Sequence, residues 1–337
     1  MKAIGYYKSL PADDEQSLVD LELPVPSPGP RDILVKVEAV SVNPVDTKVR
    51  INATPPEGSP RILGFDAAGT VEEVGSEVTL FKKGDEVFYA GAIDRPGSNS
   101  EFQLVDERIA ARKPESLSFA EAAALPLTSI TAWELLFDRL GVPYGVKTQG
   151  GALLIINGAG GVGSILTQIA ARLTGLTVIV TASRPETAAW CRDMGAHHVI
   201  NHRNPLDREL EGIGIPKVRY VASLTGTEQH LPAIVELLEP LGAMAVIDDP
   251  ATLDIKPFKS KGLSVHWEYM FARPVYQTAD MIEQHRLLSE VAALVEAGVL
   301  ETTLKEAFGT INAANLRRAH AAQESGRSIG KNVLAGF

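Results

Sequence analysis

An apolar run, Leu153-Leu154-Ile155-Ile156, leads straight into Asn157-Gly158-Ala159-Gly160-Gly161-Val162-Gly163-Ser164, and this junction constrains the fold more than any other stretch. The run suits a buried parallel strand. The segment after it places Ile165, Leu166, Ile169 and Ala170 on one helical face, and a second apolar run spans 176–180. Strand, glycine turn, helix and strand in this order form the setting in which Gly-x-Gly-x-x-Gly binds a dinucleotide. Gly158 is expected to permit the tight turn, Gly160 to let the backbone approach a pyrophosphate, and Gly163 to let helix and strand pack closely. Ala159, Gly161 and Val162 complete the loop, whose main-chain N–H groups and helix dipole favour an anion.

The end of the second strand indicates which dinucleotide. An NAD site usually carries an acid about 20 residues beyond the glycines, for the ribose 2′-hydroxyl. Here the chain reads Val180-Thr181-Ala182-Ser183-Arg184, with no acid before Glu186. Ser183 and Arg184 suit a 2′-phosphate, since a guanidinium offers phosphate a fixed fork of donors. NADPH is therefore the expected coenzyme; the plainer reading of Arg184 is a solvated arginine before a Pro-initiated helix. His202 could stack on or bond the same end of the cofactor, or be an ordinary loop histidine.

About 150 residues precede this turn, too many for a single nucleotide-binding domain, and the 337-residue length suggests two domains. The leading region reads as strands, with 32–42 the clearest from its β-branched alternation and 68–75, 84–89 and 101–105 as shorter candidates. Pro24, Pro26, Pro28, Gly29 and Pro30 punctuate it, so a small, irregular β-rich barrel or sandwich is expected. Ser118, with Glu121 three positions on, reads as the cap of a helix over 118–124, and 128–140 as another helix. Beyond the fingerprint, helices at 185–194 and 228–238 alternate with strands at 199–200, 220–224, 243–247 and 263–267. That alternation predicts a doubly wound parallel sheet, hence an α/β fold. Amphipathic helices at 278–297 and 313–324 close the chain.

Net charge and cysteine usage bound the function. A formal charge of −10 argues against nucleic-acid or anionic-membrane binding, and no run approaches the length of a membrane span. The lone cysteine, Cys191, excludes an intramolecular disulfide and fits a reducing, cytoplasmic setting. It reads as a small buried hydrophobe.

Five motifs together carry a resemblance: Val42-Asn43-Pro44-Val45-Asp46, Leu63-Gly64-Phe65-Asp66-Ala67-Ala68-Gly69, Gly84-Asp85-Glu86-Val87, 125–132, and the closing Gly330-Lys331-Asn332-Val333-Leu334. With the fingerprint they resemble the medium-chain dehydrogenase/reductase superfamily, and within it the quinone-oxidoreductase branch and the zinc-type alcohol dehydrogenase-like proteins. The likeness covers essentially the whole chain. It implies a β-rich GroES-like catalytic domain, 1–125 with 271–337, into which a Rossmann domain, 126–270, is inserted. It further implies a homodimer, with strands near 264–270 as a candidate interface.

By the same resemblance, Asn43 and Thr131 would lie near the nicotinamide, with Lys331 and Asn332 beside it. Asn43 could donate to an acceptor oxygen or merely fix the Asn-Pro turn; Asp46 would brace that turn. Lys48, where quinone-reducing relatives carry an aromatic, could donate to a substrate carbonyl or be a surface lysine. Tyr89 and 266–271 could line the substrate side or pack a core. The superfamily's catalytic zinc would need ligands where this chain has Asn43, Phe65 and Leu127-Thr128. Phenylalanine cannot ligate and an amide is a poor zinc ligand, so no metal is expected. His197-His198 and Asp248-Asp249 read as loop residues. The resemblance then implies zinc-independent, NADPH-dependent hydride transfer to a quinone or an α,β-unsaturated carbonyl. A zinc-type alcohol dehydrogenase and an NADPH-binding sensor with little turnover stay open as alternatives.

Overall fold

The computed structural model describes residues 1–148 and 150–337 and divides them into two compact units. The first comprises Met1–Ile130 and Phe271–Phe337, the second Thr131–Met270.

The second unit is built on a six-stranded sheet in which every pairing is parallel. Its order is His198–Ile200, Thr177–Thr181, Ala152–Ile156, Val218–Ser223, Leu238–Val246, Ser264–Trp267. Helices Gly161–Leu173, Pro185–Asp193, Leu206–Gly212 and Thr227–Leu237 make the crossovers. All five residues of Ala152–Ile156 are buried, as a strand covered on both faces requires. The strand order reverses beside it, between Ala152–Ile156 and Val218–Ser223. At such a reversal the carboxyl ends of neighbouring strands splay apart and leave a crevice for ligand. The fingerprint turn issues from one of those ends.

In the first unit, the eleven-residue strand Asp32–Val42 is the organising element. Phe102–Asp106 pairs with its first half, Lys331–Ala335 with its last four residues, and Asp66–Val74 along the other edge. Register shifts at Leu34/Val35 and Val37/Ala39 curl the pairing toward a barrel. Gly69 sits at this bend, where a β-carbon would come 2.1 Å from the Lys36 carbonyl oxygen. A small sheet of Lys2–Tyr6, Val19–Glu22 and Arg61–Ile62 covers one side. The registers set Ser41 opposite Asp66 and Val42 opposite Asn332, so strand ends from three distant chain segments meet at one place.

Several elements depart from expectation. Residues 43–46 begin a helix, Pro44–Asn52, instead of merely turning. Asn43 is its cap, proline its first residue, and the Asn43 N–H donates to Asp46 Oδ2 at 2.8 Å. The helix expected over 278–297 starts only at Glu283, because 278–282 form turns that Arg273 holds through Asp280. The helix from Pro126 passes at Glu134 into a π-helical stretch, Glu134–Arg139.

Candidate functional site

The nucleotide turn belongs wholly to the second unit. The residue adopting left-handed geometry is Asn157, at φ 65°, and Gly158 has no positive φ. The tight-turn role assigned to Gly158 is therefore corrected. Asparagine tolerates that conformation, whereas Gly158 is needed because a β-carbon there would lie 1.8 Å from Val180 Cγ1. At Gly163 a β-carbon would come 2.5 Å from Gly158 Cα, which is the close helix–strand approach expected. Gly160 differs from both, as nothing lies within 4 Å of its would-be β-carbon. It caps helix Gly161–Leu173 without a side chain, leaving first-turn N–H groups for an anion.

Thr181 braces the turn. Its hydroxyl accepts from Asn157 N at 2.8 Å and lies 3.1 Å from His202 Nδ1, while its carbonyl accepts from Gly158 N. His202 faces His230, ring centroids 6.3 Å apart. Burial, then His230 and Arg203, holds the His202 ring below the usual histidine range, which favours a neutral imidazole.

Ser183 and Arg184 are half-buried at the end of Thr177–Thr181. Thr187 Oγ1 fixes the Arg184 backbone, accepting from its N–H and donating to its carbonyl. The Arg184 guanidinium lies 3.2 Å from the exposed Glu186 carboxylate, a surface pair weak enough for a phosphate to displace. If Arg184 serves a 2′-phosphate, Arg184→Ala should weaken NADPH binding about tenfold or more while NADH binding hardly moves. Titration of both coenzymes by fluorescence checks this, and an equal loss for the two would remove Arg184 from that role.

Thr131 is buried in helix Pro126–Trp133. One turn on, buried Glu134 neighbours buried Glu268, whose carboxylate also accepts from Arg139 Nε at 2.9 Å. Burial, then Glu134, pushes the Glu268 carboxyl up to about 9, so one proton is held near this carboxyl pair at neutral pH. Sequence reading missed the pair because its members lie 134 residues apart and neither belongs to a recognisable motif.

In the first unit, the meeting strand ends create a buried polar knot. Asp66, fully buried, accepts from Lys331 Nζ at 2.9 Å, Asn43 Nδ2 at 2.8 Å, Ser41 Oγ at 3.1 Å and Leu127 N at 2.7 Å. Lys331 Nζ also donates to Asn43 Oδ1 and to the Val42 carbonyl. Both ends of the Asn43 amide are thus engaged within the protein. Asp46 accepts from Asn43 N and Gly64 N, and burial pushes its carboxyl up to about 7. Asn332, also buried, donates to Ser328 Oγ. Lys48 lies on the exposed side of helix Pro44–Asn52. Tyr89 is fully buried among barrel residues, so core packing is its position in this structure. His197 accepts from Val178 N, and Asp248 accepts from Thr227. Cys191 is buried, and burial pushes its thiol up to about 12.

With this geometry in view, similarity to known proteins identifies the chain. Residues 29–117 match the alcohol dehydrogenase GroES-like domain and 194–334 the zinc-binding dehydrogenase domain. A zinc-type alcohol dehydrogenase-like protein of Staphylococcus aureus is 44% identical over 337 residues, 99% of each chain. The chain belongs to the medium-chain dehydrogenase/reductase superfamily. Among solved members, a structure from Rhizobium etli described as a zinc-dependent alcohol dehydrogenase superposes with a TM-score of 0.95 at 55% identity, covering 100% of this chain and 98% of that one. Escherichia coli quinone oxidoreductase complexed with NADPH gives 0.84 at 27% identity, covering 99% and 100%. The α/β fold, with its parallel Rossmann-type sheet and GroES-like domain, is that of this superfamily.

The zinc in the relatives' names meets an unsuitable donor set here. Among the described residues, no group of three or more His, Cys, Asp or Glu side chains is placed to hold a metal ion. At two positions where the superfamily's zinc would need ligands stand Asn43, whose amide is engaged at both ends, and Phe65, packed edge-on against Phe271 at 5.2 Å. Asp66, the nearby carboxylate, already accepts an ammonium, an amide, a hydroxyl and a main-chain N–H. The dinucleotide passes the corresponding test, because the open space over Gly160 and the uncapped helix end match a pyrophosphate.

Proposed function

We propose that this oxidoreductase is a zinc-independent, NADPH-dependent reductase of quinones or α,β-unsaturated carbonyls. The observation that carries the reading is the Lys331–Asp66–Asn43 knot, in which an ammonium bonded to a carboxylate places positive charge against Asn43, one of the positions where a metal ligand would be expected. Without a Lewis acid, ionising an alcohol for oxidation lacks support, whereas an electrophilic acceptor needs only a hydride donor and alignment. NADPH, when bound, supplies that hydride. Main-chain amides of 160–163 would hold its pyrophosphate, and Ser183, Arg184 and His202 its adenosine end. Thr131 would lie by the nicotinamide. Asn43, Lys331 and Asn332 are proposed to shape the nicotinamide side from within their own hydrogen bonds. Lys48, being exposed, would meet substrate only at the mouth of a site. The protein is further proposed to act as a homodimer in the cytoplasm.

The test is NADPH oxidation with a panel of quinones and enones, with and without a chelator. Stoichiometric consumption that survives chelation is expected. Chelator-sensitive alcohol oxidation would instead establish a zinc-type alcohol dehydrogenase. A second reading, an NADPH-binding protein with little turnover, is favoured by one observation: both ends of the Asn43 amide are occupied. Tight, saturable NADPH binding without consumption across the panel would select it.

A further inference from the structure

Two histidines face each other across the carboxyl ends of the second unit's sheet. His202 follows strand His198–Ile200, and His230 lies in the first turn of the helix that follows strand Val218–Ser223. Strands Thr177–Thr181 and Ala152–Ile156 lie between those two, and Ala152–Ile156 leads into the nucleotide turn. The rings nevertheless approach to 6.3 Å between centroids, tilted by 59°. They therefore span the strand ends at the reversal, where a dinucleotide lies in sheets of this kind. Under the coenzyme reading the pyrophosphate rests on 160–163 and the adenosine ribose beside Ser183 and Arg184. The base comes next, on the side where Thr181 ties His202 to its strand end.

Both rings are positioned from the protein side. Asp248 accepts from the Thr227 N–H and hydroxyl, which pins the start of the helix carrying His230. A β-carbon on Gly226 would lie 3.6 Å from His230 Cδ2, so the ring packs over that turn. Thr181, fully buried, accepts from Asn157 N, and its own hydroxyl hydrogen has His202 Nδ1 as acceptor. The His202 hydrogen is thereby assigned to Nε2, on the far side of the ring. Neither that nitrogen nor either nitrogen of His230 has a hydrogen-bond partner among the described residues, and none is sealed from solvent as those of His320 are. Burial holds the His230 ring below the usual histidine range against the pull of Asp248, as it does His202, so both favour the neutral form. Neutral imidazoles suit a phosphate poorly. They offer flat faces and N–H donors, and a purine base takes both.

We infer that His230 is a coenzyme-binding residue that forms the adenine seat with His202, His230 giving a ring face for stacking and His202 donating from Nε2 to a ring nitrogen of the base. The inference rests on the dinucleotide reading above and adds to it a residue that no motif marks. Adenine is common to NADPH and NADH, so His230 contributes affinity without choosing between them, which is the part proposed for Arg184.

The test is titration of the full chain with NADPH, NADH and adenosine 2′,5′-bisphosphate, the last carrying the adenosine end alone. His230→Ala should weaken all three by the same factor, about tenfold, the value of one base stacked on an aromatic ring. His230→Phe keeps a stacking face and should bind each within about threefold of the native chain. A measurement that needs no variant keeps the test decisive if either folds poorly: saturating the native chain with the bisphosphate should shift the ring proton resonances of both His202 and His230. Unchanged affinities in His230→Ala, a loss confined to NADPH, or unmoved His230 resonances would overturn the inference and leave the coenzyme reading intact. A native chain that binds none of the three probes would overturn both.

Discussion

Lys331→Met is expected to destabilise the protein by about 3–5 kcal/mol, the usual consequence of stripping the partner from a buried charge. Lys331 and Asp66 are 3% and 0% exposed, so water cannot replace the ammonium. The lost group also served the Val42 carbonyl and Asn43 Oδ1, which would stay buried with fewer donors. Methionine keeps most of the side-chain volume, so the loss reports polar terms rather than a cavity. Adding Asp66→Asn removes the stranded charge. The double variant should therefore be more stable than the sum of the single losses, by about 0.5–3 kcal/mol of coupling. Urea titrations of the four proteins measure this. Strict additivity would mean that Lys331 and Asp66 do not act as a unit, and the cation-replacement argument would go with it.

Acid should destabilise this protein through His320. Its ring is fully buried beside Arg50, and neither ring nitrogen has a hydrogen-bond partner among the described residues. Burial, reinforced by Arg50, pushes the imidazole down to about 3. An unfolded histidine takes its proton near pH 6.5, so between roughly 6.5 and 3 the unfolded chain binds a proton that the folded one refuses. Stability is fully present above that window and falls with decreasing pH, by about 1.4 kcal/mol per unit for this one group. At pH 4.5 the deficit is roughly 3 kcal/mol, enough to lower the melting temperature by about 4 °C. His320→Leu removes the proton and the two unmatched nitrogens together. Its melting temperature should therefore change less between pH 7.5 and 4.5 than that of the native chain. Parallel curves for the two proteins would show that acid acts elsewhere.

What could be read from residues alone follows a physical division. Strand Asp32–Val42 was legible because its alternation is local, and the helix beginning at Phe119 because Ser118 and Glu121 cap each other three positions apart. The Rossmann unit was legible because burial on both faces writes a continuous apolar run into its central strand, Ala152–Ile156. Helix Pro44–Asn52 was hidden by Asn-Pro, a pair that starts turns and helices alike; Asp46 at the third helical position decides for the helix, and that signal was available. The carboxylate at the centre of the knot was not legible in its role. Asp66 and Lys331 stand 265 residues apart, and only the registers of two separate strand pairings bring them together. Gly158 shows the limit of motif reading. A glycine is required there, but the reason lies in Val180, on the neighbouring strand.

The placement of Lys331 also orders events during synthesis. The second unit is one continuous stretch, Thr131–Met270, so a ribosome can release every residue its sheet needs while the C-terminal segment is still unmade. The barrel has no such freedom. Its central strand emerges early, yet Asp66 has no counter-charge until residue 331 leaves the exit tunnel, after the whole nucleotide-binding unit. The first part translated is thus the last to be finished. A nascent chain arrested before residue 331 would hold a completed Rossmann sheet and a barrel still open at its seam.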